Sequence, residues 1–205
     1  MATTTPNYGW PVPTSTDYVK DGATAIEALG DAIDATVFGL GGGGLALIST
    51  TTFTTSSSVS LPTNSFTSTY DNYKIALNVS AASATPGYSV RFRAAGTDST
   101  AASYSYYTRL SSSSSGADTN TFARSQTSGV LFPAGTGTDL QSYVIDVMSP
   151  KLSQFTSLFF NGVGTVGNHI YGANVFNNTT SFDSLSVFPS TGTFTGTISV
   201  YGMRK

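Results

Sequence analysis

The chain has 205 residues, of which 10% are charged and 12% aromatic, with 11 Tyr and 13 Phe; an average soluble protein is charged at about a quarter of its positions. A net charge of −2 with scattered basic residues leaves no electrostatic footprint for a nucleic acid. The absence of cysteine excludes a disulfide framework, a thiolate metal site and a cysteine nucleophile, and no run of about 18 apolar residues is present to cross a membrane as a helix.

Residues 1–16 carry Pro6, Pro11 and Pro13 among Thr and Ser, so this arm is expected to be extended. Its start, Met1 to Pro6, lacks the basic and apolar pattern of a secretory signal, which makes synthesis in a cytoplasm without export the expectation. Tyr8 and the single Trp, Trp10, are its large side chains. They have two readings: a plug for a partner's pocket, or a contact folded back on the chain's own helix. That helix is predicted from near Tyr18, capped by Thr16 or Asp17. In heptad terms Val19, Ile26, Ile33 and Leu40 fall on one core line, with Gly22, Leu29 and Thr36 on the other, and Glu27, Asp31 and Asp34 lie opposite. A stripe this short, interrupted by Gly22 and Gly30, is marginal alone. It therefore predicts self-association, packing on another protein, or a helix lying on its own sheet. Up to Gly44 the chain holds five acidic residues and one Lys, an asymmetry that suits either solvent or a basic socket.

At Gly41–Gly44 the composition changes, and the run reads as a hinge between an N-terminal segment, 1–44, and a head, 45–205. From Leu45 the apolar period becomes two. Strands are expected at Leu45–Phe53, Asn72–Ser80, Tyr88–Ala94, Tyr104–Leu110 and Gly129–Phe132. Further ones are expected at Tyr143–Met148, Leu158–Val163, Ile170–Phe176, Phe182–Phe188 and Phe194–Met203. The expected fold class is therefore mainly β, an antiparallel β-sandwich of jelly-roll type preceded by the arm and one amphipathic helix. Ser111–Asn120 and Pro133–Asp139 are the most polar stretches and are expected as exposed loop tips. Arg91 and Arg93, two apart, share a face that reads as solvated.

Catalytic equipment is sparse. There is one His, His169, and one Glu, Glu27, in different regions, no Gly-x-Ser-x-Gly, and no calcium-hand loop among the dispersed aspartates. No cofactor and no resident metal are expected. The best small-molecule feature is Tyr104, Tyr106, Tyr107 and Arg109. Strand alternation puts Tyr104 with Tyr106 and Tyr107 with Arg109, so one pair is expected in the core and the other on the surface. Exposed rings beside hydrogen-bonding groups suit a glycan; buried rings are simply core.

The stretch Asn7-Tyr8-Gly9-Trp10-Pro11-Val12-Pro13, continuing through Thr16-Asp17-Tyr18-Val19-Lys20-Asp21-Gly22-Ala23-Thr24-Ala25-Ile26 and Leu29-Gly30-Asp31-Ala32-Ile33-Asp34, resembles the N-terminal attachment segment of tailed-bacteriophage fibre and minor tail proteins. The ending Gly196-Thr197-Ile198-Ser199-Val200-Tyr201-Gly202-Met203-Arg204 is similar to the last strand of phage β-sandwich appendage heads. The resemblance implies a virion protein, often trimeric, with its N-terminus on the particle and its head outward.

The expectation is thus a non-enzymatic appendage on the virion surface. Tyr8, Trp10, Val19, Ile26, Leu29, Ile33 and Leu40 would serve attachment or oligomerisation, with tail or capsid proteins as partners and no membrane insertion. Its head would contact the host surface, with Tyr104, Tyr106, Tyr107 and Arg109 as candidate glycan-binding residues. The alternative is a capsid decoration protein that stabilises the shell. A glycan depolymerase is disfavoured, because paired carboxylates are needed and the head has six Asp and no Glu.

Overall fold

Alternating burial along the strands organises the chain from Leu45 onward. The structure, a computed structural model, describes residues 3–14, 18, 21–40, 44–113, 115–132, 141–164 and 167–203. It divides into two compact units, Met1–Gly44 and Leu45–Lys205.

In the first unit, β1 (Thr3–Thr4) and β2 (Pro11–Val12) pair antiparallel. The helix α1 runs from Gly22 to Leu40, later than the sequence suggests. Tyr18 lies outside it and accepts a turn hydrogen bond from the Asp21 N–H at 2.9 Å. Asp21, directly before the first helical residue, is of the type that favours a helix cap. Thr16 and Asp17, the expected caps, lie outside the described residues, as do the Gly41–Gly43 part of the hinge and the whole Pro133–Asp139 stretch.

The second unit is an antiparallel β-sandwich. Its strands are β3 (Leu45–Ser56), β4 (Val59–Ser60), β5 (Asn72–Ala82), β6 (Tyr88–Ala94), β7 (Thr97–Asp98), β8 (Tyr104–Ser111) and β9 (Asp118–Gln126), followed by β10 (Gly129–Phe132), β11 (Gln141–Met148), β12 (Thr156–Val163), β13 (His169–Phe176), β14 (Ser184–Pro189) and β15 (Phe194–Met203). The larger sheet has the order β3-β15-β5-β11-β12-β13-β8-β9. The smaller has the order β10-β6-β14-β4, with β7 also on β6. Each expected strand is present. The correction is β9: the segment expected as a loop tip from Ser111 to Asn120 enters, from Asp118, a strand that hydrogen-bonds β8.

Alternation decides which side chains are inside. Tyr73, Ile75, Leu77 and Val79 of β5 and Tyr143, Ile145 and Val147 of β11 share one core with Val90 and Phe92 of β6 and Leu185 and Val187 of β14. Polar anchors tie the two sheets. Asn174 of β13, fully buried, accepts from the Val130 N–H at 2.8 Å and donates to the Val130 carbonyl at 3.0 Å, thereby holding β10 against the larger sheet. Next to it, Gly129 leaves room for that amide: a Cβ there would lie 2.6 Å from Asn174 Oδ1. On the smaller sheet Arg93 is paired with Asp98 at 3.0 Å, and Arg91 lies 4.7 Å over the Phe188 ring. The face the two arginines share is thus partly covered and not simply solvated.

Both outermost strands of the larger sheet are irregular. Against β15, β3 carries an extra residue between Leu47 and Ser49 and again between Phe53 and Ser56, where Thr55 has φ 48°. Against β8, β9 carries an extra residue opposite Ser105, with Ser125 at φ 56°. The Gln126 amide donates to the Arg124 carbonyl at 2.7 Å across that bulge.

Candidate functional site

Strand register places the sequence-predicted residues on definite faces. Tyr104, Tyr106, Thr108 and Leu110 point to the inner side of β8, and Ser105, Tyr107, Arg109 and Ser111 to the outer side. Tyr104 is therefore removed from the candidate glycan-binding set. It is fully buried, its hydroxyl accepts from the Phe92 N–H at 2.9 Å and donates to the Ser99 carbonyl at 3.1 Å, and its ring packs edge-on to Phe176. Burial pushes its phenol up to about 12, against the lowering effect of those hydrogen bonds. Tyr106 is half-buried, whereas Tyr107 is 45% exposed and Arg109 lies on the same outer face.

Non-local pairing adds neighbours that single-strand reasoning does not reach. Opposite Tyr107 stand Phe122 of β9 and Ala173 of β13; opposite Arg109 stand Asn120 and Tyr171; opposite Ser111 stand Asp118 and His169. Phe122 is 76% exposed and Tyr171 37% exposed, so three rings face solvent across adjacent strands. Polar side chains are interleaved with them. The Tyr107 hydroxyl donates to Asn120 Oδ1 at 3.0 Å, the Ser111 hydroxyl donates to Asp118 Oδ1 at 2.6 Å, and His169 Nε2 shares a hydrogen bond of 2.7 Å with Asn161. Arg109 is ion-paired with Asp118. The Ser111 hydroxyl first, and then the Arg109 guanidinium, hold the Asp118 carboxyl below the usual carboxylate range. The hydrogen bond from Arg109 to Asp118 correspondingly raises the arginine.

The approach of β13 to β8 at this point requires glycine. A Cβ on Gly172 would lie 2.3 Å from the Tyr107 carbonyl oxygen. An open concavity of about 390 Å³ is lined by Ser105, Tyr106, Tyr107, Phe122, Arg124 and Val175 among others. Flat apolar rings beside fixed donors and acceptors match a sugar, whose C–H faces stack on rings while its hydroxyls exchange hydrogen bonds. Among the described residues no group of three or more His, Asp or Glu converges as a metal site.

In the N-terminal unit Trp10 takes the second of its two readings. Its indole Nε1–H donates to Thr36 Oγ1 at 2.9 Å, and Thr36 in turn donates to the Ala32 carbonyl at 2.8 Å. Tyr8 stacks on the Trp10 ring at 5.3 Å and remains exposed. The two heptad lines separate accordingly. Leu29 and Thr36, with Ala25 and Ala32, are half-buried on the line that meets the arm at Thr36. Ile26 is 66% exposed, Val37 is exposed and Ile33 is half-buried, on a line displaced by one residue. Val19 and the side chain of Leu40 lie outside the described residues.

No family model matches the chain, and no curated protein does. Among solved structures, the Caenorhabditis elegans galectin LEC-6 is 13% identical over 75% of this chain and 98% of its own, with a TM-score of 0.36. The CBM2 module of the evolved Dit of Lactobacillus casei BL23 phage J-1 is 10% identical over 72% of this chain and 69% of its own, with a TM-score of 0.24. At these values neither likeness carries weight for a ligand or a role, and the chemistry of the outer face stands on its own residues.

Proposed function

We propose that this protein is a non-enzymatic bacteriophage virion appendage whose β-sandwich binds a host-surface glycan through the outer face of β8, β9 and β13. The observation that carries the reading is the cross-strand group of Phe122, Tyr107 and, diagonally, Tyr171, exposed and interleaved with Asn120, Arg109, Asp118 and His169. Solvent-facing aromatics packed this densely on one face need a partner surface, and the polar groups between them suit hydroxyls better than an apolar protein patch. The virion location, the attachment role of the N-terminal unit and a trimeric state are supported by the resemblance of its first 34 residues to phage attachment segments. The exposed Ile26 and Val37, one residue round the helix from the line that meets the arm, support burial against further copies or a particle protein.

The test is binding of the full chain to a glycan panel, compared with Phe122→Ala. A phenylalanine side chain offers about 200 Å², and 76% of Phe122 is free. A sugar stacked on one ring face covers about 70 Å², which at ~25 cal/mol per Å² is about 2 kcal/mol, or roughly thirty-fold in affinity. Because the ring is so exposed, the substitution is expected to leave the thermal midpoint unchanged. Absence of glycan binding by the unaltered chain, or full binding by Phe122→Ala, would overturn the reading.

A further inference from the structure

Strand register places five charged side chains on the outer face of the larger sheet: Lys74, Asp146, Arg109, Asp118 and Arg124. Four of them pair off, Lys74 with Asp146 and Arg109 with Asp118. Arg124 is different. It belongs to no ion pair among the described residues, and no hydrogen bond there uses its guanidinium; only its carbonyl is engaged, by Gln126. It is exposed, and alternation along β9 sets it on the same side as Phe122, two residues away and immediately before the bulge at Ser125. Both residues line the concavity that also holds Tyr107 and Ser105.

A face whose other charges cancel, with one free guanidinium beside the ring on which a sugar would stack, selects for a complementary charge on that sugar. We propose that the ligand of this concavity is an acidic saccharide, whose carboxylate or phosphate is bound by Arg124 while its ring lies on Phe122. The proposal rests on the glycan-binding reading above and narrows it to a substrate class. Arginine suits the task because its planar fork donates two parallel hydrogen bonds to either anion, and the charge of Arg109, unlike that of Arg124, is already matched by Asp118.

The experiment uses the full chain and matched saccharide pairs that differ only in charge: uronic-acid polymers with their methyl esters, and phosphate-bearing polymers with their dephosphorylated forms. The expected result is that the acidic member of at least one pair binds about ten- to a hundred-fold more tightly, the range of a charge-assisted hydrogen-bonded contact. Which pair discriminates separates carboxylate from phosphate. Arg124→Gln is expected to abolish the difference between the acidic and neutral members, and Arg124→Lys to restore part of it. Added salt is expected to weaken the acidic member alone. Equal binding of acidic and neutral members, or discrimination that survives Arg124→Gln, overturns this proposal and leaves the glycan reading in place. No binding to any member overturns both.

Discussion

Replacing Asn174 by Ala tests whether the larger sheet is held to β10 by one amide. The substitution removes the hydrogen bonds to both the N–H and the carbonyl of Val130. A backbone group left without a partner in the interior costs about 1–3 kcal/mol. Val130 is half-buried, so water reaches part of it, and the two losses together are expected to come to about 2–4 kcal/mol. Against a total of about 5–15 kcal/mol that is a large fraction, and at ~2–4 °C per kcal/mol it lowers the thermal midpoint by roughly 5–15 °C. Gly129 supplies the internal control. Gly129→Ala alone forces its new methyl to within 2.6 Å of Asn174 Oδ1, an atom fixed by those hydrogen bonds and unable to swing away. In the Asn174→Ala background that obstacle is gone. Urea denaturation of the two single variants and the double variant should therefore give a double variant more stable than the sum of the singles, by about 1 kcal/mol or more. Simple additivity, or a loss below about 0.5 kcal/mol for Asn174→Ala, would refute the reasoning.

Alkaline pH should destabilise the sandwich through its buried phenols. Desolvation raises Tyr88 and Tyr104 to about 12 and Tyr143 further still, so each stays neutral in the fold at a pH where the unfolded chain ionises near 10. Their contribution is fully present below about 10 and is lost as pH rises through the folded values. Absorbance at 295 nm should show the buried phenols ionising only together with loss of β-sheet circular dichroism; their ionisation with the sheet intact would contradict the packing. Ile26→Glu places a charge on the exposed heptad line, and light scattering of the full chain is expected to fall from an oligomeric mass to that of a monomer. A mass unchanged by this variant would move assembly away from the helix.

How much of this was legible in the sequence depended on whether the signal was local. β5 announces itself because Tyr73, Ile75, Leu77 and Val79 point into the core while Lys74 and Asn78 do not; β11, β12 and β15 carry the same one-sided pattern. β9 does not, because its inward-facing residues Thr119, Thr121 and Ala123 are small and at most half-buried, and its one large apolar side chain, Phe122, points outward. The division of Tyr104 from Tyr107 followed from alternation, but which of the two was outside depended on the neighbouring strand. Tyr171, Phe122 and Asn120 join the site through register alone, across 13 residues of chain for Tyr107 and Asn120. The helix showed the same limit. Its heptad lines were visible, but the arm's occupation of one of them rests on a contact between Trp10 and Thr36, 26 positions apart.

The bulges at the two borders of the larger sheet bear on how such a molecule tolerates crowding. Between its two register breaks β3 offers only Ser49 to Phe53 as an uninterrupted stretch against β15, and β9 is broken at Ser125 beside the charge of Arg124. A neighbouring copy trying to zip onto either border would lose register after a few residues and leave its remaining amides unmatched. In the proposed arrangement, heads tethered by their N-terminal units would therefore touch without fusing into a continuous sheet. This matters for a chain with so few charges to keep its copies apart, because every binding face then remains individually presented.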